Sequence, residues 1–408
     1  LPDAREEDLK EMSIVAARPL RVLAADDSAV MRGILRTLFQ RHAEDTRSEL
    51  PGMELVAISR DGVECLQDVT RLNPDVLVLD LEMPRLNGLD VLDRLRHTRP
   101  RLPVIMCSSH TELGARATLD ALARGAADYV MKPAGQRDLE SALAMLAGQL
   151  LPRIAAFARG RARTEAARRL NVVAAKRPEE QGSAGVPIEI LVIGVSTGGP
   201  TALEQLLPGI APDLPVPVLI VQHMPKVFTN VLAERLDRCC SLRVAEAYHG
   251  ALLQPGVVWI APGDAHMEVA LVPARYDRDA SGGQVRLHYQ EPLHHCRPAV
   301  DYLFLSAARV YGAGTLALVL TGMGSDGLDG ARAIHDRGGV VLAQDEATSA
   351  VWGMPGRVAE SGIAAAVLAL DAMAREVNQR VFAGRARKMD AVPQAMPGLR
   401  REVAHGLY

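Results

Sequence analysis

The stretch Ile188–Leu207, IEILVIGVSTGGPTALEQLL, constrains the fold of this chain more than any other. Ile190 to Ile193 form a run of leucine and β-branched residues too short for a helix. It predicts a strand buried on both faces, as in a parallel sheet covered by helices. The pattern breaks at Gly194 into G-V-S-T-G-G-P and resumes with helical spacing at Ala202, Leu203, Leu206 and Leu207. Pro200 suits the first turn of that helix, where a missing N–H is no loss. Ser196 thereby comes to a tight turn at the carboxyl end of a central strand, at the positive end of a helix. Gly194, Gly198 and Gly199 have no Cβ to block a ligand or a positive φ. A nucleophile and an oxyanion hole can be built together on such a turn. An ordinary strand-to-helix turn, or a glycine loop holding a phosphate, shows the same pattern, so the partners of Ser196 must decide.

A chain of 408 residues predicts about two or three domains. Aromatic residues are only 3% of a composition that is 48% hydrophobic, so the cores must be built from Val, Leu, Ile and Ala. A net charge of −3 gives no global pull toward nucleic acid or an acidic membrane. No apolar run approaches the ~20 residues needed to cross a bilayer, and the acidic start LPDAREEDLKEM has no hydrophobic signal core. The expectation is a cytoplasmic protein without membrane insertion; Leu1 is not an initiator residue, and Met12 is a candidate start. The five cysteines (Cys65, Cys107, Cys239, Cys240, Cys296) show no C-x-x-C spacing, which argues against structural zinc and a disulfide framework.

From Leu20 to about Leu150, strand-like segments (LRVLAAD, ELVAIS, VLVLD, PVIMCSS, YVMKP) alternate with helical ones. This predicts a doubly wound α/β domain whose site lies beyond the carboxyl ends of the strands. Asp26, Asp27, Asp80, Ser108 and Lys132 collect at those ends. Taken singly, each of them reads better as a solvated strand-end residue. Together, carboxylates converging on one edge call for a cation, and an all-oxygen set suits Mg²⁺. A carboxylate beside Mg²⁺, lysine and hydroxyl can attack a phosphoryl group and hold the acyl phosphate.

From about Pro152 to Pro187 the pattern dissolves. RGRARTEAARRL has a helical composition, and KRPEEQGSAG that of a linker. A solvated linker explains the basic run better than a nucleic-acid contact does. Beyond it, Val218 to Val221 predicts a second buried strand ending at His223, and TLALVLTGMGSDGLDG a third with Asp326 in the following turn. P-G-D-A-H offers Asp264 and His266 as site-edge residues, and a helix beginning near Pro298 carries Asp301. The chain order Ser196, His223, Asp326 differs from the Ser-Asp-His order of α/β-hydrolases, so the serine elbow does not import that fold. A rival reading uses Gly322, Gly324 and Gly327 as G-x-G-x-x-G, with Asp345 as the acidic residue of a dinucleotide site. The charge of Asp326 would oppose a pyrophosphate in that turn but would stabilise an imidazolium.

D-D-S at Asp26, L-D-L-E-M-P-R-L-N-G around Asp80, Ser108 and Y-V-M-K-P at Tyr129 resemble the receiver domain of two-component response regulators. That resemblance implies Asp80 as phosphoacceptor. It implies Mg²⁺ on Asp27, Asp80 and the Glu82 carbonyl, with Asp26 acting through water. Lys132 and Ser108 would contact the phosphoryl group, with Tyr129 as a switch. I-G-V-S-T-G-G, V-Q-H-M-P, I-A-P-G-D-x-H-M, R-P-A-V-D-Y-L-F and L-T-G-M-G-x-D-G resemble the catalytic domain of chemotaxis protein-glutamate methylesterases. This implies hydrolysis of glutamyl methyl esters, and deamidation of glutamines, on the cytoplasmic helices of chemoreceptors, with a sensor histidine kinase as phosphodonor. Ser196, His223 and Asp326 would be the triad. N–H groups near Thr197 and Gly198, with Met323, would receive the oxyanion, and the ester reaction itself would take no cofactor. Ser325 and Cys296 depart from the family's Asn and His. A non-catalytic phospho-switch that only binds receptor helices is the remaining alternative. The expected fold is two doubly wound parallel-sheet α/β domains joined by a linker. The expected divisions are an extension over 1–19, a receiver over 20–150, a linker over 151–187, a catalytic domain over 188–381 and a mobile tail over 382–408.

Overall fold

The computed structural model describes residues 18–134, 138–169, 186–272 and 283–390. The first unit runs β1 (Leu20–Ala25), α1 (Ala29–Glu44), β2 (Met53–Ser59), α2 (Gly62–Leu72), β3 (Val76–Asp80), α3 (Gly88–Thr98), β4 (Val104–Ser108), α4 (Glu112–Ala123), β5 (Asp128–Met131) and α5 (Leu139–Arg169). The strands pair in parallel in the order β2-β1-β3-β4-β5. Each helix starts where a short polar side chain captures a free N–H of the first turn. Ser28 accepts from Met31, Asp61 from Val63 and Glu64, Asn87 from Asp90, and Thr111 from Gly114. Strands β3 and β4 are buried along their whole length, as their unbroken apolar runs require.

The second unit runs β6 (Ile190–Val195), α6 (Gly199–Leu206), β7 (Val218–Gln222), α7 (Lys226–Cys239), β8 (Arg243–Glu246), β9 (Val257–Ile260), β10 (His266–Leu271), β11 (Gly283–His288), α8 (Val300–Tyr311), β12 (Thr315–Val319), α9 (Leu328–Asp336), β13 (Val340–Gln344), α10 (Met354–Glu360), β14 (Ala366–Leu368) and α11 (Leu370–Asp390). Its main sheet is parallel, in the order β14-β13-β12-β6-β7-β9-β8. Both sheets are the doubly wound kind expected. The antiparallel hairpin of β10 and β11, which pairs Met267 with Leu287 and Val269 with Val285, is an addition to that expectation.

Two of the expected divisions fall inside helices. Residue 150 lies within α5, where Leu146, Leu150, Ile154 and Phe157 all join the receiver core, and 381 lies within α11. Residues 170–185 and 391–408 of the expected linker and tail lie outside the described residues, as does most of the N-terminal extension. Leu139–Ala158 also has the length and mean hydropathy of a membrane span. Glu140, Gln149 and Arg153 interrupt it, so no unbroken apolar run marks it in the sequence. Its apolar face is spent on the receiver sheet.

The two units meet where α4 packs on α7. Tyr129 at the end of the receiver sheet stacks on Phe228 of α7, with ring centroids 4.7 Å apart and planes 15° off parallel. Around this stack Arg116 bonds Glu234 (2.9 Å), and Arg235 bonds Asp120 (2.5 Å) and Glu204. Val351 of the second unit packs against the receiver core cluster that contains the α5 residues.

Candidate active site

Strand β6 lies between β12 and β7. Ser196, His223 and Asp326 therefore follow three adjacent strands and share one carboxyl edge. The ladder continues past the strand ends: Ser196 N–H donates to the Thr321 carbonyl (3.0 Å), and His223 N–H to that of Val195 (3.2 Å). Gln222 Nε2 donates to the Ser196 and His223 carbonyls (3.0 and 3.1 Å). Thr321 Oγ1 donates to the Thr197 carbonyl (2.9 Å) and accepts from Val351 N–H (3.0 Å). Thr321 and Gln222 thus pin the serine turn. Neither residue carries a role in the sequence motifs, V-Q-H-M-P and L-T-G-M-G-x-D-G, that contain it.

The turn itself needs glycine. Gly198 has φ +76°, a left-handed conformation that glycine adopts without steric cost. At Gly322 a Cβ would lie 2.5 Å from Met354 Sδ and 2.8 Å from Ser196 Cβ. Gly322→Ala is therefore expected to lower stability by about 1–3 kcal/mol through overpacking. By displacing Ser196 it is also expected to lower kcat at least tenfold, as a denaturant midpoint and a rate measurement on one preparation would show.

Asp326 accepts from both sides of its pocket. Its Oδ2 lies 2.7 Å from His223 Nε2 and accepts from Val300 N–H (2.7 Å), while Oδ1 accepts from Asp301 N–H (3.0 Å). Val300 and Asp301 open α8, so the carboxylate caps a helix N-terminus, which favours its charge. Burial opposes that charge, but the bond from His223 and the two N–H groups outweigh it and hold Asp326 below the usual carboxylate range. Burial also disfavours an imidazolium at His223, yet the hydrogen bonds with Asp326 and Cys296 raise it above the ordinary histidine range. An ionised carboxylate only accepts, so Nε2 carries the proton and Nδ1 is left with the basic lone pair. Nδ1 faces Cys296 Sγ at 3.5 Å. Among the described residues Ser196 Oγ makes no hydrogen bond to His223, a common slackness before substrate arrives.

Other expected residues have different positions. His266 is fully buried, accepting at Nδ1 from Ala299 N–H (3.2 Å) and donating at Nε2 to the Glu291 carbonyl (3.2 Å). It braces the segment before α8. Asp264 is exposed. Asp301 ties α8 to α9 by accepting from Gly330 N–H (2.7 Å). Among the described residues Ser325 offers only its carbonyl, to Leu328 N–H (3.1 Å), and Asp326 takes its support from α8. Asp345 is engaged by Thr348 N–H and Oγ1 (2.9 and 2.6 Å), and Gly322 backs the serine turn. The dinucleotide reading therefore loses both of its anchors.

In the first unit Asp26, Asp27 and Asp80 bring their carboxylates within 4.8 Å of one another. Lys132 Nζ lies 3.0 Å from Asp26 and 2.7 Å from Asp80. One ammonium against three carboxylates leaves room for a divalent cation, and the hard oxygen donors fit Mg²⁺. Burial and the neighbouring Asp26 push Asp80 up to about 6, against the pull of Lys132. Ser108 Oγ accepts from Thr118 Oγ1 (2.6 Å) and faces the Gly114 and Ser109 carbonyls as donor (3.3 Å each). Glu82 is exposed and lines, with Asp27 and Asn87, a cleft of about 460 Å³ beside the acid cluster.

Fold and site together define a receiver-linked hydrolase built on a doubly wound parallel sheet. Residues 191–377 match the CheB methylesterase family and residues 22–144 the response regulator receiver domain. The chain is 44% identical over 365 residues, 89% of it and 95% of the relative, to the protein-glutamate methylesterase/protein-glutamine glutaminase of Nocardioides sp.. The relative of the same name from Trichodesmium erythraeum is 42% identical over 88% of this chain and 99% of its own. A third, from Caulobacter vibrioides, is 43% identical over 86% and 96%. The chain belongs to the CheB methylesterase family.

Proposed function

We propose that this protein hydrolyses γ-methyl esters of glutamate side chains on chemoreceptor cytoplasmic helices, and deamidates receptor glutamines, under control of phosphorylation at Asp80. The observation that carries the reading is the Asp326–His223 pair on strand ends that flank Ser196. Ser196 Oγ attacks the side-chain carbonyl and His223 Nδ1 takes its proton. The proton then goes to the departing methanol or ammonia, and water resolves the acyl-enzyme. Asp326 fixes the tautomer. The N–H groups of Thr197 and Gly198, which take no part in the turn's own hydrogen bonds, are assigned to the oxyanion together with Met323.

Asp26, Asp27, Asp80 and the Glu82 carbonyl would hold Mg²⁺, which offsets negative charge at the phosphorylation site when bound. The sensor histidine kinase of the receptor array is the phosphodonor. Lys132 and Ser108 are assigned to the phosphoryl group, Ser108 after leaving Thr118. Tyr129, the switch residue, is stacked on Phe228, five residues past His223. The unphosphorylated receiver restrains the serine site through this contact and through Val351, whose backbone holds Gly322 and Thr321. Arg116→Glu, which faces Glu234 with a like charge, is expected to raise unphosphorylated activity about two- to fivefold, the scale of a surface ion pair. Adding Glu234→Arg should return it to the starting rate.

The test of the function is methanol release from a methylated receptor fragment, with and without acetyl phosphate and Mg²⁺. Release that rises with acetyl phosphate, and no longer does so in Asp80→Ala, is the expected result. Stimulation surviving in Asp80→Ala would remove the switch but keep the esterase. No release from any preparation, with no labelling by a serine-directed phosphonate, would leave the non-catalytic receptor-binding switch.

A further inference from the structure

Cys296 belongs to a three-residue cluster, with His223 and Asp326, whose ligating atoms all lie within 4.8 Å of one another. Its position is fixed by the backbone. Leu293 and Cys296 exchange two hydrogen bonds (3.1 and 2.8 Å) across a tight turn in which His294 and His295 both have positive φ, 51° and 62°. The turn presents Sγ to Nδ1 of His223, while Asp326 holds the opposite nitrogen. This is the arrangement of an activated thiol: a partly exposed sulfur, an imidazole base and a carboxylate orienting that base.

The other thiols lack it. Cys65 and Cys107 are buried in the receiver core, and burial with nearby carboxylates pushes Cys65 up to about 12. Cys239 is exposed and Cys240 partly so, but both donate to the Leu236 carbonyl (3.3 and 3.2 Å) and face no histidine among the described residues.

We propose that Cys296 is a second nucleophile on the His223–Asp326 pair, a modification site for hydroperoxides and small alkylating agents whose occupation turns the hydrolase off. The Sγ proton passes to Nδ1. The thiolate sulfur then attacks one peroxide oxygen, so that an S–O bond forms and the O–O bond breaks. The departing oxygen takes the proton back from Nδ1 and leaves as water or an alcohol. Sulfur loses two electrons to the peroxide, and the products are a sulfenic acid and neutral His223. The sulfenic hydroxyl donates to Nδ1 and occupies the lone pair that Ser196 needs. Two equivalents of an added thiol return the sulfenic acid to Cys296, yielding one disulfide and water. The modification rests on the geometry, and its effect on turnover rests on the proposed function.

The test uses the full chain. A limiting pulse of iodoacetamide at pH 7, read cysteine by cysteine by peptide mass spectrometry, should label Cys296 at least tenfold faster than Cys239. That excess should collapse in His223→Gln and persist in Ser196→Ala, while an unchanged Cys239 rate reports an intact fold. Hydrogen peroxide should stop methanol release by the wild type, dithiothreitol should restore it, and Cys296→Ala should keep most of its own starting rate. Labelling of Cys296 no faster than Cys239, or an excess that survives in His223→Gln, would overturn the nucleophile. Equal peroxide sensitivity of wild type and Cys296→Ala would overturn the switch. If untreated protein releases no methanol, it is the proposed function that fails, and the labelling arm decides the site by itself.

Discussion

Ser196→Ala is expected to lower methanol release by ~10⁴ or more, the loss seen when a triad nucleophile is removed and only binding and the oxyanion site remain. The change removes one oxygen from a half-buried side chain. The backbone bonds that hold the turn, from Ser196 N–H to Thr321 and from Gln222 to the Ser196 carbonyl, do not involve that oxygen. Folding stability should therefore stay within about 0.5 kcal/mol, the usual range for a substitution that breaks no buried contact. The His223–Asp326 bond is likewise independent of Oγ. A large loss of kcat with an unchanged denaturation midpoint, and no phosphonate adduct, is the expected combination. A loss below tenfold would exclude Ser196 as nucleophile and shift attention to Cys296, the other nucleophile beside His223.

The strand ends were legible because parallel sheets announce themselves. Ile190 to Ile193, Val218 to Val221 and the run before Thr321 are short, apolar and followed by glycine or polar turns. The rule that sites lie beyond the carboxyl ends then brings Ser196, His223 and Asp326 to one edge before any coordinate is known. What periodicity does not carry is order across the sheet. That β12 and β7 flank β6 depends on crossovers, and only this adjacency lets His223 reach Asp326. Side-chain partners chosen by packing were also out of reach. His266 reads like His223, a histidine near a strand, yet it is buried between two backbone groups. Ser108 reads as a phosphoryl contact, yet in this state its hydroxyl belongs to Thr118. The long helix α5 escaped because Pro152 and the polar residues around it blur its apolar face. Cys296 was visible only as a departure from the family, since its meeting with His223 joins residues 73 positions apart.

Asp326→Asn separates the roles of shape and charge. The amide has nearly the size of the carboxylate, and its one oxygen can still accept from Val300 or Asp301. Its NH₂ group, however, meets donors on every side, because Val300 N–H, Asp301 N–H and His223 Nε2 all point at this side chain. The least costly response is for His223 to turn its Nε2 lone pair toward the amide and carry its proton on Nδ1, which is then no base. The expected loss of kcat is about 10⁴-fold, the cost of a wrong tautomer in a triad. The pH profile should move as well. The base must be neutral to act, so kcat/KM rises with pH through the His223 pKa. In the wild type, Asp326 and Cys296 put that limb above the ordinary histidine range. Without the carboxylate it should fall while the plateau drops. Stability follows the same two shifts. Asp326's contribution is full above its unfolded pKa of about 3.9 and is lost as pH falls through its lower folded value. That of His223 is full below about 6.5 and is lost as pH rises through its higher folded value. Asp326→Asn should therefore trail the wild type most between about pH 4 and 6.5, as denaturation midpoints across that range would show. A rate limb that stays where it was in the wild type would mean that His223 is not the base being titrated.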